Sequence, residues 1–389
     1  MTEWSGANLL TRHVASSRFE AARMIPLPAP GLLSESKFAR LHGHGFLVSA
    51  FVNQPIHLVN VERTGGQAPR HWPSYRGGEV PELRAELQPH AAQLDYQSLN
   101  DVLAEPSDIN IANWFRDRFG IPGISGIALQ STPDQGVLTG GTDALVWRRY
   151  RFQAAHQLPH VPVGHKCGRL HGHGFEVVLH VLSGPDPVDY DLLDGSWSQV
   201  SPQLSYRCLN DVAGLENPTS EMLAAWIWQR LKQQLPSLVA VSVYETASCG
   251  ATYDGHTYRI WKDFTIDSAT RYRQAASENF LARVHGYTYT LRLYLSAPLD
   301  RVMGWTVDFG DVKEIFTPVF KSLDHHPLHQ NPELDAVSDG DTGSIANWLF
   351  LKSQQLLPEL VRVDLFETEG CGSSVGMHLQ GPELPLVRV

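Results

Sequence analysis

Hydrophobic and polar positions alternate with a period of two at several points along the chain. Tyr287, Tyr289, Leu291 and Leu293 are separated by Thr288, Thr290 and Arg292, the pattern of a strand with one covered face. The run Phe175 to Leu182 is more uniformly apolar, and Trp147 to His156 reads as a strand ahead of it. A helical spacing then takes over: Leu223, Ile227 and Leu231 fall at i, i+4 and i+8, Thr219 or Ser220 can cap the start, and Pro236 marks the stop, so a helix is expected over Ser220 to Leu235. Val239 to Thr246 is rich in β-formers, and a further strand is expected near Ala251 to Trp261. Two strands, two helices and two strands make an α+β unit in which helices cover one face of an antiparallel sheet.

That unit recurs. Phe38-Ala39-Arg40-Leu41-His42-Gly43-His44 returns as Cys167-Gly168-Arg169-Leu170-His171-Gly172-His173 and, more loosely, as Ala282-Arg283-Val284-His285-Gly286-Tyr287. Ile111-Ala112-Asn113-Trp114 returns as Leu223-Ala224-Ala225-Trp226 and Ile345-Ala346-Asn347-Trp348, each running on to a proline, Pro122, Pro236 or Pro358. Between these markers lie Leu94 to Leu99, Leu204 to Leu209 and Leu323 to Leu328. Three markers in one order, three times, predict three tandem domains of about 130 residues, an ordinary domain size. The boundaries expected are 1–140, 141–263 and 264–389, with the polar stretch Asp134 to Thr142 as the first linker.

Composition narrows the partners. With 31 Lys and Arg against 41 Asp and Glu, the formal charge is −10, which disfavours a general binder of nucleic acid or of an anionic membrane. An anionic ligand must then be met by a local pocket. Four cysteines, Cys167, Cys208, Cys249 and Cys371, are too few and too scattered for a disulfide framework. Met1 to Pro26 holds charged and polar residues and no apolar core, and no run of 18 apolar residues occurs. A reduced, cytoplasmic protein is the expectation.

The second unit carries the chemistry. His171 and His173 are two apart on an expected strand, so their side chains share a face. His156 lies on the preceding strand, which a hairpin through the Cys167 loop would pair with them. Three convergent imidazoles suit zinc with an open fourth position, although other metals that accept imidazole remain compatible, and Cys167 as a fourth ligand would instead close a structural site. In the first unit Arg23 takes the place of His156 and Phe38 that of Cys167; in the third, Tyr287 replaces the second HGH histidine, Leu281 the cysteine and Ser268 the first histidine. One intact metal site per chain is expected.

Phe152-x-Ala154-Ala155-His156, Cys167-x-x-x-His171-Gly172-His173, Asn217-Pro218-Thr219-Ser220-Glu221 and Glu245-Thr246-Ala247 together resemble the 6-pyruvoyltetrahydropterin and 6-carboxytetrahydropterin synthase superfamily, which has the tunnelling fold, or T-fold. The three-residue interval between Cys167 and His171 is closer to the bacterial carboxy-forming enzymes of the queuosine pathway than to the animal pyruvoyl enzymes. The resemblance implies a zinc lyase that converts 7,8-dihydroneopterin triphosphate to 6-carboxy-5,6,7,8-tetrahydropterin, acetaldehyde and triphosphate. It implies zinc on His156, His171 and His173, Cys167 as the base, and an acidic anchor for the pterin at Glu245 with Thr219 nearby. Glu367 is the matching residue of the third unit and Gln130 that of the first.

The family's Asp-His pair survives only as Asp324-His325; the second unit has Ser205-Tyr206 and the first Asp95-Tyr96. Because the family's sites lie between subunits, the resemblance implies one composite site, with the second unit facing Asp324 and His325 of the third. It also implies an intrachain pseudo-trimer, a first unit that serves to close the ring, and a homodimer giving six units. Competing readings are a pyruvoyl-forming synthase, a non-catalytic pterin-binding module and a zinc hydrolase. For the triphosphate, His160, His165 and Lys166 are candidates by position.

Overall fold

The structure is a computed structural model that describes residues 9–26, 36–55, 72–121, 123–140, 143–184, 190–335, 337–377 and 379. Pro122, the expected stop of a first-unit helix, Thr142 at the end of the expected linker, and residues 1–8 lie outside them. The first stretch of chain forms β1 (Leu10–Arg23), β2 (His42–Pro55), α1 (Glu79–Leu94), β3 (Gln97–Ser98), α2 (Asp108–Arg116), β4 (Ile124–Thr132) and β5 (Gln135–Gly140). The second forms β6 (Asp143–His156), β7 (His171–Ser183), α3 (Tyr190–Val200), β8 (Arg207–Cys208), α4 (Ser220–Leu231), β9 (Leu238–Thr246) and β10 (Cys249–Tyr253). The third forms β11 (Tyr258–Thr270), β12 (His285–Ser296), α5 (Phe309–Leu323), α6 (Pro332–Asp335), α7 (Thr342–Gln354), β13 (Leu360–Thr368) and β14 (Cys371–Gly376).

The strands join into one antiparallel ring, β1-β2-β4-β5-β6-β7-β9-β10-β11-β12-β13-β14, closed where Leu10 to Val14 of β1 pair with Gly376 to Gly372 of β14. The two-residue β3 and β8 add in parallel to β1 and β6. Among the described residues the twelve strands of the closed ring are each paired on both sides, so the ring itself presents no edge to another chain. Along each strand, residues of one parity pack under the helices: Phe19 and Phe46 share a core with Leu83, Leu87 and Phe115, and Phe175 and Val177 share it with Leu223 and Ile227. A second apolar cluster holds the third stretch, with Leu291 and Leu293 under Phe316 and Leu349.

Residues of the other parity face the lumen, which is polar and aromatic. Arg292 holds Asp263 through two bonds of 2.6 and 3.0 Å, with its guanidinium among the rings of Trp261, Tyr244 and Tyr294. Arg362 holds Asp364 in the same bidentate way at 2.6 and 2.9 Å. His180 reaches Ser242 at 3.0 Å, and Ser242 reaches Thr252 at 2.8 Å.

Four expectations change. The strand placed near Ala251 to Trp261 is a hairpin, β10 and β11, turned at Asp254-Gly255. Gly255 sits at φ +93°, and the Asp254 carboxylate accepts the N–H groups of His256 and Thr257 at 2.9 and 2.7 Å, a turn chemistry that Asp-Gly supplies. The boundary at 263/264 therefore falls inside β11, and Asp134 to Thr142 is no linker, because it contains β5. Helix α4 stops at Leu231, where Lys232 folds over the C-terminus onto the carbonyls of Pro236 and Leu238 at 2.8 and 2.7 Å. Among the described residues no helix is long and apolar enough to cross a membrane.

The side chains of the Arg292–Asp263 pair are only 6% and 4% exposed. Asp263→Asn should strand the guanidinium and cost about 3–5 kcal/mol in urea unfolding; a loss well under about 1 kcal/mol would show that the lumen solvates the pair.

Candidate metal centre and cavity

The β6–β7 register sets His156 opposite His171 and Ala154 opposite His173. The three imidazoles converge, with one ligand nitrogen from each lying within 4.8 Å of the others. Phe175 supports the cluster, its ring 5.5 Å from those of His156 and His173. His156 Nδ1 donates to the Pro218 carbonyl at 3.0 Å and His171 Nδ1 to the Arg169 carbonyl at 2.7 Å. These bonds select the tautomer whose Nε2 lone pair is free. The Nε2 atoms of His156 and His173 are buried without a hydrogen-bond partner, a costly arrangement unless a ligand completes it. Burial lowers the pKa of both imidazoles, favouring the neutral form that a metal requires. The donor set fits a zinc-type ion with an open position.

Beside the triad opens a cavity of about 820 Å³. Cys167 enters it from a single 3-10 turn, Lys166–Gly168, capped by His165, whose Nδ1 accepts the Cys167 N–H at 3.2 Å. Burial, then the Glu245 carboxylate, push the Cys167 thiol up, so its thiolate needs a cation nearby. Glu245 stands at the end of β9, with Ser220 Oγ donating to Oε2 at 2.7 Å and Oε1 at 3.6 Å from His173 Nε2. Thr219 caps α4 on the same wall.

The opposite wall belongs to the third stretch, at Trp305, Val307 to Gly310 and Lys313. It is fastened to the start of α4: Asn217 Nδ2 donates to the Met303 carbonyl at 2.7 Å, and the Thr306 N–H donates to Glu221 at 2.8 Å. Glu221 was not singled out from the sequence as a site residue. Its signal was present in the motif, because an acid in the first turn of a helix attracts N–H donors, but its donor lies 85 positions further along the chain. Lys166, Arg169, Lys262 and Lys313 bring positive charge to the cavity. His160 instead bonds the Val302 carbonyl at 2.6 Å.

Other expected residues stand elsewhere. Asp324 and His325 do not line the cavity. They pair with each other at 3.0 Å beside Asp267, where Asp324 accepts the Asp267 N–H at 3.0 Å, and the His325 side chain is 75% exposed. Glu367 also lies outside the lining; Tyr272 donates to it at 2.9 Å, and burial pushes its carboxyl up to about 7. Strand register corrects two matches. Thr270, not Ser268, pairs with His285 as His156 pairs with His171. Leu47 pairs with Gln130 as Glu176 pairs with Tyr244, so Ser131, not Gln130, stands at the Glu245 position. Alternation explains the second error: Gln130 points to the lumen.

Where the first stretch meets the second, side chains fill the corresponding space. Phe38, at the Cys167 position, packs 5.8 Å from the ring of Tyr190. Arg148 and Asp194, at the positions of Lys262 and Lys313, close on each other through bonds of 2.9 and 3.1 Å.

A family model described as 6-pyruvoyl tetrahydropterin synthase matches residues 145–256 and again 259–377, together more than half of the chain. A Synechocystis protein named 6-carboxy-5,6,7,8-tetrahydropterin synthase is 38% identical over 120 residues, which cover 28% of this chain and 92% of the relative. A Drosophila melanogaster protein named 6-pyruvoyl tetrahydrobiopterin synthase is 32% identical over 88 residues, 22% of this chain and 52% of the relative. Among solved structures, Caenorhabditis elegans 6-pyruvoyl tetrahydropterin synthase aligns at 23% identity with a TM-score of 0.26, covering 29% of this chain and 96% of that one.

Burial raises the Glu221 carboxyl from its ordinary 4.5 to about 7. The native state therefore keeps a proton that the unfolded chain releases, and native stability falls as pH rises from about 4.5 to about 7, by about 3 kcal/mol from this group. Glu221→Gln should remove that slope, so the variant gains on wild type through this window in unfolding measured against pH. Parallel profiles would refute the assignment.

Proposed function

The chain belongs to the 6-pyruvoyl tetrahydropterin synthase family and is an enzyme of that lyase family; from this premise we propose that it is the zinc-dependent 6-carboxytetrahydropterin synthase. The reaction is conversion of 7,8-dihydroneopterin triphosphate to 6-carboxy-5,6,7,8-tetrahydropterin with release of acetaldehyde and triphosphate. The observation that carries the reading is the meeting of His156, His171, His173, Cys167 and Glu245 around one cavity. The name of the Synechocystis relative supports the carboxy product.

In this reading His156, His171 and His173 hold the ion. Bound zinc supplies a Lewis acid that acidifies the side-chain hydroxyls of the substrate. Cys167 removes a side-chain proton from its position on the turn. Glu245, held by Ser220, accepts the 2-amino and ring N–H groups of the pterin, a pairing that a carboxylate makes side by side, and Thr219 lines the same wall. Lys166, Arg169, Lys262 and Lys313 meet the triphosphate, which answers how a chain of net charge −10 takes so anionic a substrate.

We read the ring as three tandem T-fold units, a pseudo-trimer in one chain, and the working assembly as a homodimer of such rings. Support comes from apolar exposure in equivalent places: Leu41, Leu170 and Val284, each just before an HGH-type turn, are 71%, 62% and 61% exposed. Tyr96, Tyr206 and His325 share a left-handed backbone, at φ 54°, 54° and 58°, in the corresponding segments. With His325 exposed and off the cavity wall, the Asp324–His325 pair serves the cavity of a second copy.

Product analysis tests the reaction. Zinc-loaded protein with dihydroneopterin triphosphate should yield acetaldehyde and the carboxypterin; a pyruvoyl product would place it with the Drosophila relative, and no product would refute a lyase. Cys167→Ala and His325→Ala should each keep zinc and lose about 10²–10⁴-fold in turnover. Random mixing of these two inactive variants should restore about a quarter of wild-type activity if a twofold partner supplies His325. No recovery in mixed dimers would place the pair's action within one chain.

A further inference from the structure

The first unit carries most of a second metal site, and its centre is already occupied by protein. His42 and His44 repeat the spacing of His171 and His173, and β1–β2 sets Arg23 opposite His42 as β6–β7 sets His156 opposite His171. Phe46 backs the pair as Phe175 backs the triad, with the Arg23 guanidinium 5.2 Å from its ring. The Arg23 side chain is 1% exposed. Its Nη2 lies 3.4 Å from His44 Nε2, and its Nη1 donates to Asp108 at 2.5 Å and to the Pro106 carbonyl at 3.0 Å. His42 Nδ1 bonds the Arg40 carbonyl, as His171 bonds Arg169, and His42 Nε2 is buried without a partner.

Asp108 balances the charge. It opens α2 at the place that Ser220 holds in α4, and its second oxygen accepts Tyr190 from the second unit at 2.5 Å and Ser131 at 2.7 Å. Burial alone would raise this carboxyl; Arg23 and the hydroxyl donors overcome it and hold the pKa low.

We propose that the Arg23 guanidinium is the resident cation of a vestigial metal site, taking an ion's place beside His42 and His44, and that a metal-binding centre returns when it is replaced by imidazole. The histidine pair has kept its geometry because a cation still sits against it. Unlike a metal, this cation cannot be lost to a chelator, so the junction between the first two units stays neutralised whatever the metal supply.

The inference rests on reading the second unit as a metal site, and the experiment separates the two. Metal content is measured after zinc loading and gel filtration in wild type, His171→Ala, Arg23→His, and Arg23→His/Asp108→Ser, the last reproducing the His156 and Ser220 pair. One, zero, two and two ions per chain are expected. Zero in wild type refutes the metal reading of the second unit. One in wild type and one in a cooperatively folded Arg23→His/Asp108→Ser overturns the Arg23 proposal alone. If the double variant does not fold, Arg23→His/His171→Ala is read by melting: zinc should raise its melting temperature by binding the native state, and no rise overturns the proposal.

Discussion

Everything at the site depends on the register of long antiparallel hairpins within a ring that has no free edge. With a side-chain period of two, a one-residue slip between β6 and β7 would carry His171 and His173 from the helix-covered face to the lumen. Closure through β1 and β14 blocks such a slip, because every strand of the ring is held on both sides. The same closure puts the end of each stretch of chain against the beginning of the next. A cavity there necessarily draws its walls from two stretches of chain, as Cys167 and Glu245 on one side and Trp305 and Lys313 on the other show.

One scaffold has three different junctions. Between the second and third stretches the space is open and lined by imidazole, thiol, carboxylate and cationic side chains. Between the first and second it is filled by Phe38, Tyr190 and the Arg148–Asp194 pair. In the third stretch Glu367 bonds Tyr272, and Thr270 and Tyr287 stand at the register positions that His156 and His173 hold in the second. Burial explains why these charges stand in pairs. A lone guanidinium or a lone carboxylate is costly inside a protein, so Arg23 is found with Asp108 and Arg148 with Asp194.

The α+β class, the hairpins and the histidine triad were legible because they are local: alternation within a strand, two residues between histidines, a capping Thr before a helix. Cys167 and Glu245 were legible through motif spacing. The errors share a physical origin. A strand reading of Ala251 to Trp261 runs through the turn at Asp254-Gly255, which merges β10 with β11 and displaces a boundary. Position along the chain assigns Ser268 and Gln130 without strand register, which only pairing fixes. The opposite wall of the cavity was invisible because Glu221 and Thr306 are brought together by ring closure and by no pattern along the chain.

The tight turn at Asp254-Gly255 has a consequence for how the assembly behaves when scarce. It ties the two walls of the cavity into one covalent thread, so their meeting is an intramolecular event with a high effective concentration. Dilution cannot separate them, whereas separate subunits would part as the protein becomes rare. Under selection, such a tether also releases each wall from having to serve as its own neighbour. Residues on either side of the turn are then free to differ, because neither stretch of chain has to supply both walls.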